Sequence, residues 1–195
     1  MNKILDGARE AVTVSKSPCF GFVIESNMIE GIYRVTASEI EATENFLAEE
    51  EMSLAAICAT QAVYAPGMPL RDRVGMNVRV GNYIAPGGGR NIEVELMAIV
   101  AKLNKSKPGL YDNPWKMHVA FERLHPFMDG NGPTGRVIWA WHMQRLGLNP
   151  FALPFLHRFY YQTLENGLRL NSRRHAAHPQ FRAHLATVRQ NDQAS

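Results

Sequence analysis

His125-Pro126-Phe127-Met128-Asp129-Gly130-Asn131-Gly132-Pro133-Thr134-Gly135-Arg136 gathers an imidazole, a carboxylate, a glycine-rich turn and a guanidinium within twelve residues. A glycine on each side of Asn131 lets the backbone turn tightly and aim successive N–H groups at one anion. Pro133 suits the first position of a helix, so a helix is expected to open there. Its first-turn donors and dipole would face whatever the Gly130-Asn131-Gly132 turn holds, with Arg136 one turn in on the same side. Asp129 is a candidate ligand for a divalent cation bridging phosphates, and His125 a candidate base near neutral pH. The same letters do not make an EF-hand, which needs an acidic or amide ligand where Pro133 stands and a glutamate near Ala140. Nor do they make a Walker loop, since no G-K-[S/T] follows.

The segments on either side read as helices. Asn113 and Pro114 are an N-cap and first-turn pair, after which Met117, Phe121 and Leu124 form the buried stripe of a helix ending at this stretch. Downstream, Pro133 to about Leu146 is apolar nearly all round, which predicts a central helix. Ile92, Leu96, Ile99, Val100 and Leu103 have helical spacing, closed by Pro108-Gly109. Thr36-Ala37-Ser38-Glu39 is a capping box opening one amphipathic helix through Ile40, Phe46 and Leu47, continued by Leu54, Ile57 and Cys58 to Tyr64, before Pro66 and Gly67 break it. Met76, Val78 and Val80 alternate with polar residues or glycine, which predicts a short strand, and Pro86-Gly87-Gly88-Gly89 supplies a turn. Ser26 and Glu30 share one face of a helical turn that Gly31 ends. Residues 1 to 20 read as a short helix and a loop, Phe151 to Leu164 as another core helix ended by Gly167, and 168 to 189 as a more polar last one. The whole is an all-α chain with a small hairpin.

At 195 residues and 46% apolar content, one compact domain over 1–195 is expected. It divides into an N-terminal segment 1–35, a core 36–167 and a basic C-terminal helix or tail 168–195. A net charge of +3 is too small for bulk nucleic-acid binding. The six glutamates of residues 39–51 and the five arginines of 168–195 read as solvated faces. Cys19 and Cys58 lack metal or disulfide spacing and fit reduced thiols. No charged-then-apolar leader and no membrane-length apolar run occur, so a soluble, cytoplasmic protein with no membrane partner is expected. His175 and His178 lie three apart without a carboxylate or cysteine nearby and make a poor metal site.

The central stretch resembles the signature of the Fic domain, H-x-F-x-[D/E]-G-N-G-R-x-x-R, with seven of eight specified positions present and Pro133 where the family has arginine. His118-Val119-Ala120-Phe121-Glu122 resembles the approach helix of that family, and the likeness runs from about Ser26 to about Leu164. The resemblance implies a Fic-type helical bundle and a protein adenylyltransferase, an enzyme that moves AMP from ATP to a hydroxyl of a target protein. On that likeness His125 is the catalytic base, Gly130, Asn131, Gly132 and Arg136 bind the nucleotide phosphates, and Asp129 holds Mg²⁺.

It also implies a β-hairpin flap, here about residues 78–91, that holds the target protein by main-chain pairing. Ser26-Asn27-Met28-Ile29-Glu30-Gly31 resembles the inhibitory motif [S/T]-x-x-x-E-[G/N] of the family, in which the glutamate pairs with the last arginine of the signature. Glu30 would then occupy the place of the ATP γ-phosphate beside Arg136. Pro133 removes a guanidinium and a backbone donor, which leaves a catalytically weakened nucleotide-binding or regulatory module as an alternative. Hydrolytic removal of AMP, with Glu30 placing a water, would use the same site. Self-modification is compatible with either enzymatic reading, and nucleic-acid binding through the arginines of the C-terminus is the weakest alternative.

Overall fold

A computed structural model describes residues 17–109 and 113–152. Residues 1–16, the helices expected beyond Ala152 and the His175–His178 pair lie outside them. Six helices and one two-stranded hairpin make up the described residues: α1 (Pro18–Ile29), α2 (Ala37–Leu47), α3 (Leu54–Tyr64), β1 (Arg79–Val80), β2 (Tyr83–Ile84), α4 (Arg90–Asn104), α5 (Pro114–Leu124) and α6 (Asn131–Arg145). The all-α class with a small hairpin is the observed one.

α6 is the axis. Val137, Ile138 and Ala140 are fully buried, and the helix packs on α1, α2, α3 and α5. It is buried on nearly every face, the polar Asn131, Thr134, Arg136 and His142 among the apolar residues, so it leaves no face for water. It opens at Asn131, two residues before the expected Pro133. Pro133 is therefore the third residue of the first turn, where no intrahelical bond needs its missing N–H, and the first such bond runs from Thr134 N–H to Gly130 O at 3.2 Å. α4 buries all five positions of its expected stripe: Ile92, Leu96, Ile99, Val100 and Leu103.

α1 is longer than the expected turn: its faces carry no helical period, and only its capping residues mark where it starts. Ser17 caps it by accepting from Cys19 N–H, and Pro18 takes the first position. Its end is a Schellman motif: Gly31, at φ 74°, donates to Met28 O, and Ile32 donates to Asn27 O. Gly31 thus fixes where Glu30 leaves the helix.

The single helix expected from Ile40 to Tyr64 is two. The capping box is present, with Glu39 N–H on Thr36 Oγ1 at 3.2 Å and Thr36 N–H on Glu39 Oε2 at 2.7 Å. α2 stops at Leu47, however, and Ser53 caps a new helix by accepting from Ala56 N–H. Distant side chains satisfy the backbone between them: Asn104 bonds both Met52 N–H and Met52 O, Trp141 donates to Glu49 O, and Arg145 donates to Glu50 O.

The hairpin is also shorter than the expected strand and flap. Arg79 pairs with Ile84 and Val80 with Tyr83 around a Gly81-Asn82 turn. Met76 and Asn77 cannot extend the ladder, for Met76 O accepts from Arg71 and Asn77 N–H donates to Gly75 O. Tyr83 Oη, donating to Arg123 O at 2.6 Å, anchors the hairpin on α5.

Candidate active site

His125 ends α5. It is the one non-glycine residue with positive φ among the described residues, at φ 48° and ψ 60°, a conformation histidine tolerates better than most and one that must be held from outside. Its N–H donates to Phe121 O at 2.9 Å and its carbonyl accepts from Arg71 Nε at 2.7 Å. The imidazole is half-buried. Burial pushes its pKa below the ordinary histidine value and the Arg71 charge adds to that, while a hydrogen bond with the Glu122 carbonyl and the charges of Asp129 and Glu30 pull the other way. The net lowering leaves a neutral ring at pH 7, able to accept a proton.

The loop from Pro126 to Gly130 is pinned on both sides. Residues 69–71 run antiparallel to it: Arg71 N–H meets Pro126 O at 2.8 Å, Met128 N–H meets Pro69 O at 3.0 Å, and Leu70 bridges Phe127. Asn131 is 2% exposed and turns its side chain back, accepting from Phe127 N–H and donating to Phe127 O. Its amide group therefore shapes the loop, and only its backbone N–H is available to an anion. Gln61, itself buried, donates to Asp129 O at 2.9 Å. Gly130 stands at φ 75°, and a β-carbon there would press on that of Ala65 at 2.7 Å.

At the start of α6 the Asn131 and Gly132 amides are first-turn donors with no acceptor within the helix, and the dipole adds to their attraction for an anion. A carboxylate is already there. Glu30 Oε1 accepts from Arg136 Nη2 at 2.7 Å and lies so close over Gly132 that a β-carbon at position 132 would run into it. Ser26 completes the arrangement, its hydroxyl accepting from Arg136 Nε at 2.7 Å and its carbonyl from Nη2 at 3.1 Å. Arg136 is wholly buried, whereas the Glu30 side chain is 30% exposed. The structure thus brings Ser26, Glu30, Gly132 and Arg136 together, and a ligand that needed the guanidinium would meet Glu30 first.

Asp129 is exposed, with Oδ1 accepting from Gly130 N–H at 2.7 Å. No three His, Cys, Asp or Glu side chains converge among the described residues. One outward carboxylate suits Mg²⁺, which takes one or two carboxylates and completes its shell with phosphate oxygens and water.

Three residues around the site have no local signal in the sequence: Arg71 and Gln61, both buried, and Glu122, whose Oε1 is buried. Arg71 and Gln61 act by reaching across many positions to backbone carbonyls, and no local spacing announces that. Glu122 had only its place in the approach-helix likeness. Its Oε1 is buried with no hydrogen-bond partner, and burial raises its carboxyl to about 7 against the opposing pull of Arg136. Near it His118, expected to be a buried partner, is fully buried with Nδ1–H donating to Gly135 O at 2.9 Å, and burial lowers it to about 3.

Residues 52–143 match the model of the Fic/DOC family. A Fido domain-containing protein of Dictyostelium discoideum is 38% identical over 52 residues, which is 24% of this chain and 36% of that protein. The chain therefore spans little more than a third of that relative. His125, Asp129, Arg136, Arg71 and Gln61 fall inside the family match, and Ser26 and Glu30 precede it. No helix among the described residues is long and apolar enough to cross a membrane.

Proposed function

The chain carries a Fic domain, and from that premise we propose that it is a protein adenylyltransferase held in check by Glu30. The acceptor is a serine, threonine or tyrosine hydroxyl of a target protein, or of the chain itself, laid along the β1–β2 hairpin by main-chain pairing. His125 takes the hydroxyl proton as the oxygen attacks the α-phosphorus of ATP. The new oxygen–phosphorus bond forms while the bond to the bridging oxygen breaks, and pyrophosphate leaves with that electron pair. The Asn131 and Gly132 amides and Arg136 receive the phosphates. Mg²⁺ held by Asp129 would neutralise phosphate charge.

What carries the reading is one observation: the Glu30 carboxylate sits on Arg136 over Gly132, at a helix start built for an anion. A carboxylate in that place competes with the γ-phosphate for the same guanidinium. ATP then binds weakly or with its α-phosphorus out of line.

Pro133 favours a second reading, a nucleotide-binding module with little turnover. Loss of one preorganised donor to developing charge costs about 10² to 10³ in rate. The two separate in one experiment. The chain and its Glu30→Gly variant are incubated with ATP labelled on the α-phosphate and Mg²⁺, alone and with cell lysate, and the products are read by mass spectrometry. Transfer that rises in Glu30→Gly and vanishes in Glu30→Gly/His125→Ala supports the adenylyltransferase. ATP binding with no label on any protein supports the module, and label lost from a pre-modified protein would point to AMP removal instead.

A further inference from the structure

Arg71 has no exposed surface and none of the described carboxylates as a salt-bridge partner. A guanidinium so placed must satisfy its donors on neutral oxygens, and four bonds do this. Nε donates to His125 O at 2.7 Å and Nη2 to Leu124 O at 2.8 Å. Nη1 donates to Pro86 O at 2.7 Å and Met76 O at 3.1 Å. The first two acceptors are carbonyls at the C-terminal end of α5, which lack intrahelical partners and carry the negative end of the dipole. The other two flank the hairpin, one before β1 and one after β2. The Arg71 backbone joins the same knot, donating to Pro126 O and accepting from Gly89 N–H.

We infer that Arg71 is a positioning residue that makes the hairpin and the His125 peptide one rigid unit, so that an acceptor paired with the hairpin meets the imidazole at a set distance. This rests on the roles proposed above for His125 and the hairpin. Two strands of two residues have little stability of their own, and Tyr83 Oη holds only one point of them. The left-handed peptide of His125 likewise needs an outside hold. One planar cation reaches both, and its fork geometry is not reproduced by lysine, which would meet one or two of the four carbonyls.

The test compares Glu30→Gly with Glu30→Gly/Arg71→Lys in AMP transfer and, in the unaltered chain, measures amide hydrogen exchange. Arg71→Lys is expected to lower kcat by about 10²-fold, the cost of an ångström of misplacement, while KM for ATP stays within twofold and the melt stays cooperative. Unchanged kcat, or a loss matched by the unfolded fraction, overturns the inference. If the lysine variant does not fold, exchange decides. The Ala85 amide, which closes the hairpin on Val78 O at 3.3 Å, is expected to share the protection of the Arg71 and Met128 amides. Exchange at the rate of an unanchored ribbon overturns the inference. Coupled exchange with no transfer by Glu30→Gly would remove the adenylyltransferase reading and leave the rigid unit standing.

Discussion

The contact of Glu30 with Arg136, to which the proposed function assigns restraint, also stabilises the chain. Arg136 is buried, and removing Glu30 takes away a carboxylate partner while the two oxygens of Ser26 still accept from it. Breaking a fully buried pair costs about 3–5 kcal/mol, and the partial exposure of Glu30 brings this down to about 1–3 kcal/mol. Glu30→Gly is therefore expected to unfold at lower urea concentration, with the loss reversed by ATP and Mg²⁺ supplying the missing anion. An equally stable variant would mean that the guanidinium is satisfied without the Glu30 carboxylate. The same substitution acts on His125, since Glu30 is one of the charges holding its pKa up. A group with a depressed pKa loses its base function only as pH falls through that lowered value. The acid limb of AMP transfer by Glu30→Gly is expected below the ordinary histidine range, and a limb at or above pH 6.5 would contradict the placement of the base.

At the scale of elements, the α5–α6 contact couples two buried groups of opposite tendency. Gly135 lets the helices approach so closely that a β-carbon there would strike Glu122 Oε1 and the Phe121 ring. Glu122 titrates near 7 in the fold against 4.5 outside it, so the folded state binds more protons in that window and stability falls as pH rises through it. His118, lowered to about 3 from 6.5, binds fewer protons when folded, so its contribution is complete above pH 6.5 and is lost as pH falls toward 3. Glu122→Gln is expected to gain about 1–3 kcal/mol on the parent between pH 4 and pH 8. A constant difference across urea melts at those pH values would sink the assignment. Elements with local signals were legible in the sequence: the Thr36–Glu39 box, the Asn113-Pro114 start, the stripe of α4 and the Gly31 stop. The break between α2 and α3 was not, because it depends on Asn104, Trp141 and Arg145, far along the chain. The hairpin is shorter than its alternation suggests for a related reason, since a side chain outside it takes the Met76 carbonyl. In the site, a short motif named the residues of one loop and one helix start, whereas Arg71, Gln61 and Glu122 act through tertiary burial that no spacing encodes.

Over the whole molecule, the proposed function has two separate features limiting the same step. Glu30, arriving from α1, fills the anion position at the start of α6. Pro133, within α6, leaves that position without the guanidinium and the N–H of the arginine the signature has there. Because Pro133 lies in the first turn, where no intrahelical bond depends on its N–H, arginine can replace it without rebuilding the helix. Pro133→Arg is expected to raise AMP transfer by about 10² to 10³-fold in the Glu30→Gly background, the scale of one restored donor to developing charge. With Glu30 in place the gain should be far smaller, since an added phosphate contact cannot act on a nucleotide whose position a carboxylate already holds. Neighbouring changes that share a partner are not additive, and initial rates for the parent, both single variants and the double variant measure the departure. Equal multiplicative gains in both backgrounds would mean that Glu30 and the residue at 133 act on different steps, and that the carboxylate on Arg136 does not compete with phosphate.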